Sequence, residues 1–187
     1  MYRNNLSGAE FWTSPHKAIT LLGMSGAGKT TLASRLPQRT WFHYSGDYRI
    51  GTRYLGEAIL DNAKREAMKS PLLAELLRSD SIYLCNNITV SNLKPLSGFL
   101  GMVGDPALGG LGIDEFKRRQ ALHRDAEVCS MLDVREFIDK SLEIYGYPHF
   151  INDAGGSLCE LDEPGVLEQL AEDTLIGYLK PSDEMLE

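Results

Sequence analysis

The chain has 187 residues, enough for one domain with a real core, and its 43% apolar and 24% charged content is that of a soluble globular protein. A net charge of −7 argues against a general nucleic-acid or anionic-membrane binder, while leaving room for a locally basic pocket. Three widely spaced cysteines, Cys85, Cys129 and Cys159, indicate neither a disulfide framework nor a zinc site; with no leader-like start and no run approaching a membrane span, a cytoplasmic setting is expected.

Residues 1–17 are polar and aromatic without a clear period, and Phe11 and Trp12 are expected to cover a sheet edge. Residues 18–22 form a short apolar run that reads as a buried strand. The next stretch, Gly23-Met24-Ser25-Gly26-Ala27-Gly28-Lys29-Thr30, fits G-x-x-x-x-G-K-[ST] at every fixed position. Residues 31–36 then read as the first turns of a helix that Pro37 ends. Strand, glycine loop and helix in this order suit a polyphosphate. The glycines let the backbone wrap closely, successive amides make an anion nest, and the helix start adds the positive end of its dipole. On this chemistry residues 23–31, Thr31 included, bind ATP; Lys29 reaches the β- and γ-phosphates, and Thr30 places its hydroxyl on Mg2+.

Residues 40–44 read as a second strand, followed by the turn Ser45-Gly46-Asp47, which sets Asp47 at a carboxyl end, where open α/β sheets bind ligands. Arg49 and Arg53 follow and open an expected helix over 52–69. Two readings of the cluster stand: guanidinium forks that clamp an anionic substrate beside Asp47, or arginines in surface ion pairs. A short helix is expected over 72–78, and residues 82–90 have the β character of a third strand. The glycine-rich stretch 97–113 reads either as a mobile lid or recognition loop or as a flexible connector.

From Asp114 the pattern is helical, with Asp114 able to cap. Lys117, Arg118, Arg119, His123 and Arg124 form a basic patch, either a solvated face or an anion-contacting one. A break near Asp133 leads to a second helix over 134–145. Residues 148–153 then make a short strand ending at Asp153, before the turn Ala154-Gly155-Gly156-Ser157. Asp153 either supports Mg2+ opposite Thr30 or caps the turn through backbone N–H groups. A helix over 164–173 and a core strand over 174–180 follow, and residues 181–187 resemble the first turn of another helix, as in a short or truncated domain. The whole, residues 1–187, reads as a single α/β domain with a mainly parallel sheet, helices on both faces and a helical, glycine-rich substrate or lid insertion at about 80–145.

The loop from Gly23 through Leu32, with Gly46-Asp47-Tyr48-Arg49 at its distance, resembles the small-molecule kinases of the P-loop NTPase superfamily, adenylyl-sulfate kinase nearest and gluconate and shikimate kinases as cousins. The resemblance covers about 15–55, more loosely Asp153 and the last strand, and implies a three-layer sandwich. It also implies that Asp47 binds or activates an acceptor hydroxyl and that Arg49 and Arg53 hold the acceptor's anionic group. Adenylyl-sulfate kinase carries its arginine one position further from the aspartate, and an arginine-bearing lid usually follows the last strand in these kinases. Residues 150–161 also resemble bacterial P-loop proteins described only as ATPases.

Two functions follow as expectations. In the first, an ATP-dependent kinase acts on a small anionic metabolite, with Lys29 and Asp47 as catalytic residues. In the second, a regulatory ATPase uses 97–113 as a nucleotide switch that reports to a protein partner. A GTPase is disfavoured, because the D-x-x-G at 153–156 comes too late and no N-K-x-D follows it.

Overall fold

Four short runs with β character, β1 (Lys17–Leu22), β2 (Trp41–Ser45), β3 (His149–Asp153) and β4 (Leu175–Tyr178), pair in one all-parallel open sheet in the order β2-β3-β1-β4. The computed structural model describes residues 7–156, 158 and 163–180. Cys159, the later part of the 150–161 resemblance and the expected helical turn at 181–187 lie outside these residues. The register sets Leu21 beside Asp153, Asp153 beside Ser45, and Leu22 beside Tyr178.

Parallel strands need crossover connections, and helices cover both faces of the sheet as they return the chain. Alternation along the strands divides the core. Ala18, Leu22 and Phe150 pack with Met131 of α7 (Ile113–Leu132), Val134 of α8 (Val134–Glu143) and Val166 and Leu170 of α9 (Pro164–Asp173). Leu21 and Ile151 pack with Ala33 of α2 (Lys29–Arg35). Through this sheet runs a fully buried polar chain. Asn152 Nδ2 donates to Thr20 Oγ1 at 3.2 Å, Thr20 shares a 2.7 Å hydrogen bond with Thr174 Oγ1, and Thr174 donates to the Leu170 carbonyl at 2.7 Å. Since Thr174 spends its proton on Leu170, Thr20 is the donor between the two hydroxyls.

The chain divides into two compact units: residues 1–46 with 127–187, which hold the sheet, and residues 47–126. The second unit starts and ends earlier than the expected 80–145 insertion. It carries α3 (Gly46–Arg49) from Asp47 onward, a π-helical turn (Ile50–Tyr54), α4 (Gly56–Ala67), α5 (Pro71–Arg78), α6 (Lys94–Leu100) and α7 as far as Ala126. Its core gathers Ile50, Leu55, Ile59, Ile88, Leu96, Phe99 and Ala126.

Several expectations are corrected. Residues 82–88 form no strand, and Thr89 makes only an isolated bridge to Asn92. Asparagine side chains tie this segment down instead: Asn86 Nδ2 donates to the Gly56 carbonyl at the start of α4 at 2.8 Å, and Asn92 Nδ2 donates to the Asn87 carbonyl at 2.7 Å. The glycine-rich stretch begins inside α6, and the rest closes on itself. Leu111 N–H donates to the Met102 carbonyl at 2.8 Å and Gly104 N–H to the Leu111 carbonyl at 2.9 Å. A first helix, α1 (Gly8–Thr13), was not expected, although Ser7 and Glu10 form its capping box. Trp12 on that helix is 78% exposed, so it does not cover the sheet.

Arg119 belongs neither to a solvated face nor to an anion site. It is buried, with each of its three nitrogens engaged: Nε with Glu115 at 2.7 Å, one terminal nitrogen with the Phe99 carbonyl and the other with Asn62 at 2.8 Å. Its guanidinium also stacks 4.7 Å from the Phe99 ring centroid. Hydrogen bonds from Arg118 and then Arg119 hold the Glu115 carboxyl down at about 2.

Two outcomes check this account. Thr20→Val breaks the polar chain and leaves the Asn152 amide with only the Met131 sulfur, 3.6 Å away, as acceptor, so it lowers unfolding free energy by about 1–3 kcal/mol in urea titrations. The folded-state pKa of Glu115 lies below its ordinary 4.5, so its stabilisation is whole above that value and is lost as pH falls toward about 2. The stability gap between wild type and Glu115→Gln therefore narrows over that window in urea titrations at stepped pH.

Candidate functional site

The glycine loop leaves β1 at its carboxyl end. Gly23 adopts φ +146°, and a Cβ there would sit 2.5 Å from the Leu179 carbonyl oxygen, so only glycine lets the chain turn off β1 beside residue 179. Leu179 N–H in turn donates to the Leu22 carbonyl at 2.8 Å. The loop then tightens, with Ala27 N–H donating to the Met24 carbonyl at 3.2 Å, and reaches α2 through Gly28, its N-cap, in the left-handed region.

Lys29 opens α2 and is only 6% exposed. Its ammonium donates to the Gly23 carbonyl at 2.7 Å and to the Met24 carbonyl at 2.9 Å. Two of its three protons are spent on the loop's own dipoles, and the third remains for an anion. Among the described residues no carboxylate pairs with it. A buried cation held by carbonyls alone is incompletely neutralised, which is the electrostatic state that attracts phosphate. Thr30 and Thr31 follow on α2 and are exposed.

Asp153 ends β3, the strand next to β1, and is 6% exposed. Among the described residues no backbone N–H bonds its carboxylate, so the turn-capping alternative has no support from them. Its side-chain neighbour is His43 of β2, whose Nε2 lies 3.6 Å from Asp153 Oδ2. That nitrogen is buried and, among the described residues, has no hydrogen-bond partner. After Asp153 the chain passes directly against the glycine loop: a Cβ on Gly156 would meet Ser25 N at 2.8 Å and Ser25 Cα at 3.0 Å. The loop at 23–28, the buried ammonium, Asp153, His43 and the 154–156 turn therefore share the carboxyl edge of one unit's sheet.

Asp47, Arg49 and Arg53 belong to the other unit. Asp47 and Arg49 are half-buried on α3, and Arg53 is exposed on the π-helical turn. Arg49 lies 5.7 Å from the Tyr54 ring centroid. A π-helical turn is rare and frequent at functional sites, and nothing in the spacing of the apolar residues announces it. His43 was also missed. It stands inside the aromatic run of β2, where its only signal is a lone imidazole close to a strand end.

Among the described residues no group of three or more His, Cys, Asp or Glu is placed to hold a metal ion, and no helix is long and apolar enough to cross a membrane. No family model, no curated protein and no solved structure matches the chain.

Gly156→Ala tests the close approach at Ser25. Its Cβ displaces loop backbone rather than a flexible side-chain end, so unfolding free energy falls by about 1–3 kcal/mol in urea titrations, while the circular-dichroism spectrum is unchanged.

Proposed function

We propose that the chain is an ATP-binding P-loop protein of the small-molecule kinase type, which transfers the γ-phosphate to a small anionic metabolite. The observation that carries this reading is the buried Lys29 ammonium, held by the carbonyls of a G-x-x-x-x-G-K-T loop between β1 and α2. The strand order supports it too. The connection leaving β1 passes over β3 to reach β2, and the one leaving β3 passes over β1 to reach β4. Central strands left in opposite directions are where open α/β sheets bind ligands.

In this reading the loop amides cradle the phosphates, and Lys29 turns its spare proton to the β- and γ-phosphate oxygens. The Thr30 hydroxyl and Asp153 carboxylate are hard oxygen donors of the kind Mg2+ takes; when bound, the ion neutralises charge on the phosphate oxygens. Asp47 accepts the proton of the acceptor hydroxyl as that oxygen forms its bond to the γ-phosphorus and the bond to the bridging β–γ oxygen breaks, releasing ADP. Arg49 and Arg53 orient the acceptor through its anionic group. The protein's share of the barrier is positioning and charge neutralisation.

A second reading, a regulatory ATPase with a protein partner, draws on one observation: the self-closed loop after α6 exposes Met102 and Leu108 almost fully, at 80% and 88%. Apolar side chains on an ordered loop are a surface a partner would cover.

Following the γ-phosphate separates the two. The chain is incubated with γ-labelled ATP, Mg2+ and a small-molecule extract. Label on a metabolite is the expected result; label released only as free phosphate, in a Lys29-dependent manner, favours the regulatory reading. Lys29→Ala weakens nucleotide binding by roughly tenfold or more. Asp47→Asn reduces transfer by about a hundredfold while MgATP affinity stays within about twofold. Full transfer by that variant removes Asp47 from its role.

A further inference from the structure

His43 has a buried nitrogen with an unmet need. Its side chain is 22% exposed, yet Nε2 itself is sealed from solvent and, among the described residues, has no hydrogen-bond partner. The ring stands on β2, two residues before the strand ends, and β2 pairs in parallel with β3 so that His43 is opposite Ile151. This register places the imidazole beside the carboxylate that ends β3. Asp153 Oδ2 is 3.6 Å away, just beyond hydrogen-bond reach, and Asp153 is itself nearly sealed at 6% exposure. An orphaned buried donor is costly, and a shift of well under 1 Å in the Asp153 side chain would satisfy it.

We infer that His43 is a positioning residue for Asp153: in the tautomer that carries its proton on Nε2, the imidazole holds Oδ2 and leaves the other carboxylate oxygen to face the cation of the nucleotide. The inference rests on the nucleotide-binding reading above and adds to it a residue that touches neither nucleotide nor acceptor. A carboxylate free to rotate spends part of its time with both oxygens turned from the cation. One oxygen pinned by an N–H removes that freedom, and partners of this kind are worth ten- to a hundredfold in metal affinity. The neutral imidazole suffices, since it donates a hydrogen bond without adding a positive charge that would repel the cation.

The geometry distinguishes two amide substitutions. In His43→Gln the longer side chain brings an N–H to the region of Nε2, whereas in His43→Asn the shorter one stops near the position of Nδ1. Binding of a fluorescent ATP analogue to the full chain is followed with EDTA present and then as Mg2+ is added back. For wild type, affinity rises with Mg2+. The midpoint in Mg2+ is expected to move up by on the order of tenfold in His43→Asn and to return to within about threefold of wild type in His43→Gln. Affinity in EDTA stays within about twofold for both, since the loop that holds the phosphates is untouched. Broadening of the Mn2+ resonance on titration with the same proteins gives the order without any turnover.

An unchanged Mg2+ midpoint in His43→Asn overturns the inference and leaves nucleotide binding standing. Equal losses in EDTA and in Mg2+ overturn it as well, since they mark a general disturbance of β2. Wild-type protein that binds the analogue with no dependence on Mg2+ removes the cation site, and a wild type that does not bind it at all removes the nucleotide-binding reading; the inference falls with either.

Discussion

A parallel sheet sends all its carboxyl ends to one edge, and this constraint governs the rest of the first unit. The chain cannot turn back directly from one strand to its parallel neighbour, so each connection crosses a face, and the segments that leave adjacent strands start side by side. With β1 between β3 and β4, the segments leaving β1 and β3 start together although well over a hundred residues separate them in the chain. The glycine loop and the Asp153 turn are neighbours for this reason. The turn comes close enough to the loop to exclude a Cβ on Gly156, against Ser25, and on the other side of β1 the segment leaving β4 excludes one on Gly23, against Leu179. The same strands are tied from within by the hydroxyls of Thr20 and Thr174 and the amide of Asn152, groups that tolerate one register and no other.

Two buried cations show how burial alone does not reveal a role. Arg119 is sealed in the second unit's core with a carboxylate, a backbone carbonyl, a side-chain amide and an aromatic ring around it. Every nitrogen is satisfied, and the group fastens α7 to α4 and α6 of that unit. Lys29 is buried to a similar degree but, among the described residues, meets two carbonyl dipoles and keeps a proton in reserve. The difference lies in residual valence. A spent cation is an anchor, and one with an unused donor is poised for an anion.

The features legible in the sequence were those written locally. Strand, loop and helix around Gly23 to Thr31 follow from an apolar run, a glycine pattern and a lysine, all contiguous. The helices α5, α7, α8 and α9 follow from apolar spacing and from Pro71 and Pro164 at their starts. What was misread depended on partners elsewhere. Residues 82–90 have β composition, but the Asn86 amide donates to the Gly56 carbonyl at the start of α4, the Asn87 carbonyl accepts from the Asn92 amide, and Ile88 is drawn into a helical core. The basic patch on α7 gave no sign that Arg119 points inward, because that follows from the place of Phe99 and Asn62 in space. His43 was invisible for the same reason, since only the register of β2 on β3 brings it to Asp153. The capping box of α1, by contrast, was written in Ser7 and Glu10 and went unread.

The π-helical turn at Ile50–Tyr54 holds one residue more than an α-helical path of the same length requires. Upstream of it lie Asp47 and Arg49, and downstream α4 is locked by Leu55 and Ile59 in the second unit's core. The turn is therefore a phase shift between a polar segment and an anchored one. Deleting a single residue inside it would restore ordinary α-helical winding and swing the upstream side chains by about 100° around the helix axis, with no change to the anchor. Two polar positions are thus aimed by the length of the chain rather than by the identity of any side chain, and an insertion or deletion here would re-aim them in one step that point substitutions cannot reproduce.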